Sequence, residues 1–318
     1  MTRTFYLLDM HSLIHRAYHA PMDDLNAADG EPTKVTFLVM KMLFKLIHTH
    51  KPDCIAATFD TPRHKTFRRR MYPAYKAKRD STIDPDLITQ IERIKSLLKL
   101  LGIRCVKKLR YEADDVIATL VDHALAEDDI DVVIVSRDKD LHQLFDIEGR
   151  VRMFDAHTED WFAVEDVRRR WGVDDPAMII DIQALMGDST DGVPGVPGVG
   201  AKKALALIQQ HETALSVAEH AKAGTSAVIT PKLREAINAT DVTMMLNLVT
   251  LVTTVPLKRT TPKSFAFTKL NTQAAVPVFK QLGFKRWSKW HESPAALAPD
   301  PSSKKQSQSG SGLTTNTD

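Results

Sequence analysis

The chain is 318 residues long and 43% hydrophobic, enough for two domains or one large one around a substantial core. No apolar run approaches the ~20 residues of a membrane span, and the sequence enters "TFYLLD" with no charged leader, so neither a membrane protein nor an exported one is expected. A net charge of +3 selects no partner by itself, but the charge is distributed very unevenly.

In chain order, "TFYLLD" reads as a buried strand closing on Asp9. The helix-patterned "MHSLIHRAYHAP" follows, with His11, His15 and His19 at i, i+4 and i+8. Little over two turns would have to aim three rings at one ion with no evident fourth ligand, so a packing or solvent-facing role is expected for them. A second strand, "CIAATFD", closes on Asp60. Cys54 lies in this run and Cys105 in the later "IRCVKK", where thiols pack as small hydrophobes; a reducing interior is the natural compartment. From Arg63 to Arg79, "RHKTFRRRMYPAYKAKR" carries eight Lys or Arg and no acid. A basic run is by default a solvated face, but Phe67, Tyr72 and Tyr75 within it favour nucleic acid, since cations neutralise phosphates while rings stack on bases. "DPDLITQIERIKSLLKLLG" is a helix capped by Asp84, with Pro85 in its first turn and Gly102 at its end. After the strand "IRCVKK", "RYEADDVIATLVDHA" gathers Glu112, Asp114 and Asp115 at a helix start; the helix dipole accounts for one or two of them. "DVVIVSRDKD" is a further strand, ending in Asp138 and Asp140.

This βαβ rhythm predicts an α/β fold with a mostly parallel central sheet buried on both faces. Parallel strands end on one side, so Asp9, Asp60, Asp138 and Asp140 converge on the crevice where such sheets bind ligands, and the helix bearing Glu112, Asp114 and Asp115 starts at that edge. Two carboxylates ~5 Å apart repel by roughly 3 kcal/mol at an effective dielectric of about 20, so seven cannot stay ionised unaided. Oxygen-only donors point to Mg²⁺ or Mn²⁺.

Further on, "LMGDSTDGVPGVPGVGAKKALALIQ" adds Asp188 and Asp191 ahead of Gly192, Gly195, Gly198 and Gly200. It is not a Walker loop, because Ala201 stands where the lysine belongs and no strand precedes it. It reads as a turn between helices whose backbone can approach a phosphate at a helix N-terminus, with Lys202 and Lys203 adding charge.

With "RAYHA", "GEPT", "FRRRMYPAYKAKR", "RYEADD", "SRDKDLHQL" and "GDSTDGVPGVPGVGAKKA" in order, the chain resembles the 5′ nuclease (flap endonuclease) family, closest to the 5′→3′ exonuclease domain of bacterial DNA polymerase I, as far as about residue 290. The resemblance implies a PIN-like core with a helical arch and a helix-hairpin-helix element. Asp9, Asp60, Glu112, Asp114, Asp115, Asp138, Asp140, Asp188 and Asp191 match the positions that hold two Mg²⁺ ions, with Mn²⁺ as a substitute. It further implies that Tyr75, Lys76 and Arg79 contact the scissile nucleotide, with Lys76 and Arg79 catalytic, and that Arg68 contacts a phosphate. Gly195, Gly198, Gly200, Lys202 and Lys203 would hold the duplex, with a monovalent cation such as K⁺ at the hairpin.

The implied activity is metal-dependent hydrolysis near 5′ ends, 5′ flaps or nicks of DNA in replication or repair, leaving 5′-phosphate and 3′-hydroxyl ends. The alternatives are a metal-dependent ribonuclease and a silent DNA-junction binder. Three places depart from the family: Met10 stands for Gly, Gly192 for Asn and Lys203 for Thr. The expected organisation is a nuclease core at 1–175 with its arch at about 63–100, a helical DNA-binding region at 176–290, and a disordered Ser/Pro/Gly-rich tail at 291–318. No polymerase follows, so a stand-alone monomer in the bacterial cytoplasm or nucleoid, working with a separate DNA polymerase, is expected.

Overall fold

The computed structural model describes residues 2–79, 84–258 and 260–289; the tail at 291–318 and the Arg79 side chain lie outside the described residues. Strand β1 (Arg3–Asp9) leads into α1 (Met10–Tyr18) and α2 (Lys34–His50) before β2 (Cys54–Thr58). Helices α3 (Phe67–Met71) and α4 (Pro85–Leu100) precede β3 (Arg104–Val106), and α5 (Ala113–Leu125) precedes β4 (Ile130–Val135). Then come β5 (Val151–Phe154), β6 (Trp161–Phe162), and the helices α6 (Val164–Trp171), α7 (Met178–Met186), α8 (Ala201–His211), α9 (Ala214–Ala223), α10 (Pro231–Asn238), α11 (Val242–Val249) and α12 (Thr272–Gln281). The sheet runs β3-β2-β1-β4-β5-β6, parallel throughout except for β6, which pairs antiparallel to β5.

The strands read as continuous apolar runs because alternate residues feed two different cores. Phe5, Leu7, Val132 and Ile134 enter one cluster with α5, while Tyr6, Leu8, Val133 and Val135 enter the other with α2 and α4. Each such side chain contributes about 1.5–3 kcal/mol on burial, so a strand covered on one side only would lose half its stabilisation. The cluster on the α5 side continues without a break into α7, α8, α9 and α11 through Ile179, Ile182, Leu185, Leu207, Val217 and Met245. The helical region therefore shares its core with the sheet.

Asp84 caps α4 by accepting from the Asp86 amide at 2.9 Å, and Pro85 stands at its start. The helix then buries Ile94, Leu97 and Leu98 against α2 and α12. Residues 85–100, expected to belong to the arch, are thus a flank of the core: an apolar stripe of that size has to be covered. Met10 is likewise buried in this cluster, so the departure from Gly beside Asp9 serves packing. Among the described residues no helix is long and apolar enough to cross a membrane.

Candidate metal centre

The parallel strands deliver their acids to one edge. Asp9 ends β1 and caps α1, its Oδ1 accepting from the Ser12 amide at 3.1 Å and its Oδ2 from the Ser136 hydroxyl at 2.6 Å. Asp60, two residues past β2, accepts from the Ala113 amide at 2.8 Å and so ties that strand to the start of α5. Past β4, Asp138 caps the 3-10 turn Lys139–Leu144 by accepting from the Asp140 amide at 3.0 Å.

Eight of the nine predicted carboxylates line two pockets that share Lys76, Glu112 and Asp114. One pocket adds Asp9, Asp60 and Asp138. The other adds Asp140, Asp188 and Asp191. Among the described residues no three acidic, His or Cys side chains are gathered tightly enough to grip an ion as they stand. The donor chemistry nonetheless fits one. Burial, then the charges of Asp138 and Asp9, pushes the Asp114 carboxyl well above its usual range, and burial with Asp138 and Asp191 raises Asp140 to about 6. Asp9 is raised chiefly by burial. Where a cation is at hand the outcome reverses. Burial alone would push Glu112 up, but Lys76 and Arg68 hold it below its ordinary value, and Lys139, 2.6 Å from Asp188, does the same there. Further positive charge in these pockets would stabilise every acid that lacks a cation, and all-carboxylate donors suit a hard divalent ion.

Four expectations need correction. Asp115 is fully buried and clamped: Arg68 donates to its Oδ2 at 2.8 Å and its Oδ1 at 2.7 Å, while the Glu112 and Val252 amides donate at 3.0 Å each. Its lone pairs are committed to the fold, so it leaves the metal set. Arg68, expected on a phosphate, is 1% exposed and also donates to the Leu248 and Thr250 carbonyls, which removes it from the DNA face. Tyr75 is buried with its hydroxyl donating toward Glu112 (3.1 Å) and Asp191 (3.4 Å), so it supports the acids from beneath and cannot stack on a base. Phe67 packs on Tyr111, and Tyr72 is half-buried against the core. Gly195 is buried, and a Cβ on it would lie 2.4 Å from the Gly187 nitrogen; it lets the hairpin close on the end of α7 and does not face a ligand.

Lys76 lines both pockets, its ammonium 3.0 Å from Glu112 and 3.4 Å from Asp191. The backbone explains Gly192 here. The Lys76 amide donates to the Asp191 carbonyl at 2.7 Å, and a Cβ on Gly192 would lie 2.8 Å from the Ala74 carbonyl oxygen. The family's asparagine would therefore strike the segment that carries Lys76.

Sequence reasoning passed over Ser136, which holds Asp9, Lys139, which neutralises Asp188, and Gln183, whose amide donates to Asp140 at 2.6 Å. Ser136 and Lys139 lie inside the quoted "SRDKD" and could have been weighed with its acids. Gln183 stands on α7 and carries no local mark.

The glycine turn joins α7 to α8 as predicted, with Gly200 capping α8 and Gly198 exposed. Lys202 and Lys203 are exposed on the first turn of α8, but the Lys203 ammonium donates to the Gly198 carbonyl at 2.9 Å and braces the turn. Gly198 adopts φ +78°, and a Cβ there would meet nothing within 4 Å. Gly198→Val is therefore expected to strain the backbone by about 1–2 kcal/mol without an internal clash, and to project only into whatever docks on the hairpin. Affinity for duplex-containing flaps should fall and the salt slope of binding should flatten by about one unit, with cleavage at saturating DNA near normal. Unchanged affinity and salt slope in a folded variant would make the hairpin only a structural turn.

A family model described as 5′-3′ exonuclease, N-terminal resolvase-like domain, matches residues 4–172, and a second, 5′-3′ exonuclease, C-terminal SAM fold, matches residues 174–273. A 5′-3′ exonuclease of Aquifex aeolicus is 38% identical over 209 residues, covering 66% of this chain and 70% of that protein. DNA polymerase I of Rhizobium leguminosarum is 36% identical over 261 residues, covering 79% of this chain and 25% of the polymerase, so the chain spans about a quarter of that relative. Among solved structures, T5 5′-exonuclease with divalent metal ions (zinc) bound gives a TM-score of 0.62 at 21% identity, covering 91% of this chain and 99% of that one. The catalytic core of Rad2 in complex with DNA substrate gives 0.60 at 17%, covering 94% and 93%. At such identities the likeness is one of fold.

Proposed function

Because the chain belongs to the 5′-3′ exonuclease family, we propose that it is a structure-specific 5′ nuclease that hydrolyses DNA phosphodiesters near 5′ ends, flaps and nicks with the help of Mg²⁺. The observation that carries the reading is the carboxylate-lined edge of the sheet with a lysine held inside it. Asp9, Asp60, Glu112, Asp114 and Asp138 would hold one ion, and Asp140, Asp188 and Asp191, with the shared Glu112 and Asp114, a second; Mn²⁺ meets the same donor set. Bound there, such ions supply Lewis acidity at the phosphodiester and lower the pKa of coordinated water.

The residues themselves do the rest. Exposed Lys65, Arg70 and Lys78, in the basic stretch that carries Lys76, and Lys202 on the hairpin would attract the DNA backbone toward a centre that would otherwise repel it. Gly198 and Gly200 let the duplex backbone, or a K⁺ ion shared with it, reach main-chain groups at the start of α8. Lys76 is shared by both pockets, so its ammonium can follow a phosphoryl oxygen as negative charge builds there; we place Arg79 in the same role. The products would be a released 5′ fragment ending in a 3′-hydroxyl and a remaining strand that begins with a 5′-phosphate, beside the upstream 3′ end that a separate polymerase would extend.

End-labelled flap, nicked and blunt duplexes, with matched RNA flaps, incubated with Mg²⁺, Mn²⁺ or EDTA, test this. Metal-dependent release of labelled 5′ fragments from DNA is the expected result. Binding without release in any metal would make the protein a junction binder, and preferential cutting of RNA would make it a ribonuclease. Lys76→Ala should lower turnover by about 10²–10³-fold with affinity changed no more than a few-fold, since one contact among many contributes modestly to binding while the transition state concentrates charge there. Equal losses in binding and rate would mark a plain phosphate clamp.

A further inference from the structure

Of the three histidines on α1, one faces the acids. His11, the second residue of that helix, lines the same pocket as Asp9, Asp60, Glu112 and Asp138 and is about half exposed. Its Nδ1 stands 3.5 Å from Asp60 Oδ2. Asp60 Oδ1 is occupied by the Ala113 amide at 2.8 Å, so Oδ2 is the oxygen turned toward the ring. His15 and His19 continue along the helix behind it, with ring centroids at 6.2 Å from His11 to His15 and 4.4 Å from His15 to His19, and neither lines the pocket. The three rings form no joint site, but His11 separates from the other two.

The spacing bears on what His11 is for. A separation of 3.5 Å is longer than a good hydrogen bond between a ring nitrogen and a carboxylate. It matches the span between two donors of one ion, which at about 2.0–2.2 Å each lie roughly 3–3.5 Å apart. An imidazole also changes the chemistry of an all-oxygen pocket, because nitrogen donors favour later first-row ions whereas Mg²⁺ gains little from them.

We propose that His11 is a nitrogen ligand at the rim of the carboxylate pocket, forming with Asp60 a mixed imidazole–carboxylate position that gives the protein a preference for Mn²⁺, Co²⁺ or Zn²⁺ over Mg²⁺. The inference rests on the reading of this edge as a metal centre and extends it to selectivity among ions. No protein–DNA contact is involved, so metal binding can be measured on the protein alone.

The test titrates CoCl₂, MnCl₂ and MgCl₂ into the full chain by calorimetry, following the visible bands of bound Co²⁺, for the unchanged protein, His11→Ala and His11→Asp. His11 is exposed, so both variants should fold, which circular dichroism and melting verify. His11→Ala is expected to weaken Co²⁺ and Mn²⁺ binding about tenfold or more while Mg²⁺ moves less than threefold, a loss of the size seen when a group supporting a metal site is removed. His11→Asp should keep or strengthen Mg²⁺ binding without regaining the Co²⁺ spectrum, since oxygen replaces nitrogen. If Co²⁺ affinity, spectrum and the Co²⁺-to-Mg²⁺ ratio are the same in His11→Ala, the inference is overturned and His11 is only a neighbour of Asp60, with the metal centre intact. If no divalent ion binds to any of the three proteins, the metal centre itself is wrong and the role of His11 falls with it.

Discussion

Arg68→Ala is expected to cost about 3–5 kcal/mol of folding stability, the range for breaking a buried ion pair from one side. The guanidinium is 1% exposed and uses both ends of its fork: two bonds to Asp115, one from Nε to the Leu248 carbonyl at 2.8 Å, and one to the Thr250 carbonyl at 2.7 Å. The pair therefore fastens three segments distant in sequence: α3 in the basic stretch, the start of α5 in the acidic site, and the chain leaving α11. Alanine would leave the Asp115 carboxylate buried with only the two amides at 3.0 Å, and would orphan two carbonyls. The double change Arg68→Met with Asp115→Leu removes the charge from both sides and should recover much of the loss, because the cost lies in leaving one charge unpaired. Urea unfolding of the three proteins measures this. If Arg68→Ala melts like the unchanged protein but binds flap DNA poorly, Arg68 belongs on the phosphate face after all.

The contrast between Arg68 and Lys76 shows where the sequence could be read and where it could not. Both lie in one basic run, and a run of cations beside rings points to DNA on composition alone. What separates them is that the Arg68 fork is closed off by a carboxylate 47 residues away and carbonyls 180 and 182 residues away, whereas Lys76 ends on acids that line both pockets, and no local pattern encodes either set of partners. Asp114 and Asp115 were inseparable for a related reason. A helix usually declares its buried side by a polar one opposite, but α5 is buried all round from Asp115 to Val121, so its phase cannot be read from its residues. The strand-end acids were legible because parallel strands buried on both faces leave polar residues only at their ends, and topology then brings those ends together. Gly195 and Gly198 divide the same way: both have positive φ, at +62° and +78°, and only the packing shows that one closes against Gly187 while the other faces outward.

The largest catalytic effect is expected at Asp138. Its carboxylate is exposed to the pocket, and after burial its charge does most to raise the carboxyls of both Asp114 and Asp140, so it acts on acids of both pockets. It also caps the turn Lys139–Leu144 through the Asp140 amide at 3.0 Å, and losing a cap costs about 1 kcal/mol. That is too little to unfold a domain, so Asp138→Ala should fold, bind flap DNA within a few-fold of the unchanged protein, and lose Mg²⁺-dependent cleavage altogether. Two controls separate metal chemistry from the cap. Asp138→Asn keeps the side-chain oxygen that accepts from Asp140 and nearly the same volume, yet removes the charge, so it should be as inactive as alanine. Raising Mn²⁺ or Mg²⁺ should restore part of the rate to either variant if the defect is weakened ion binding. Normal cleavage by the asparagine variant would show that Asp138 only shapes the turn, and the ion would then have to be held by the remaining acids of that pocket.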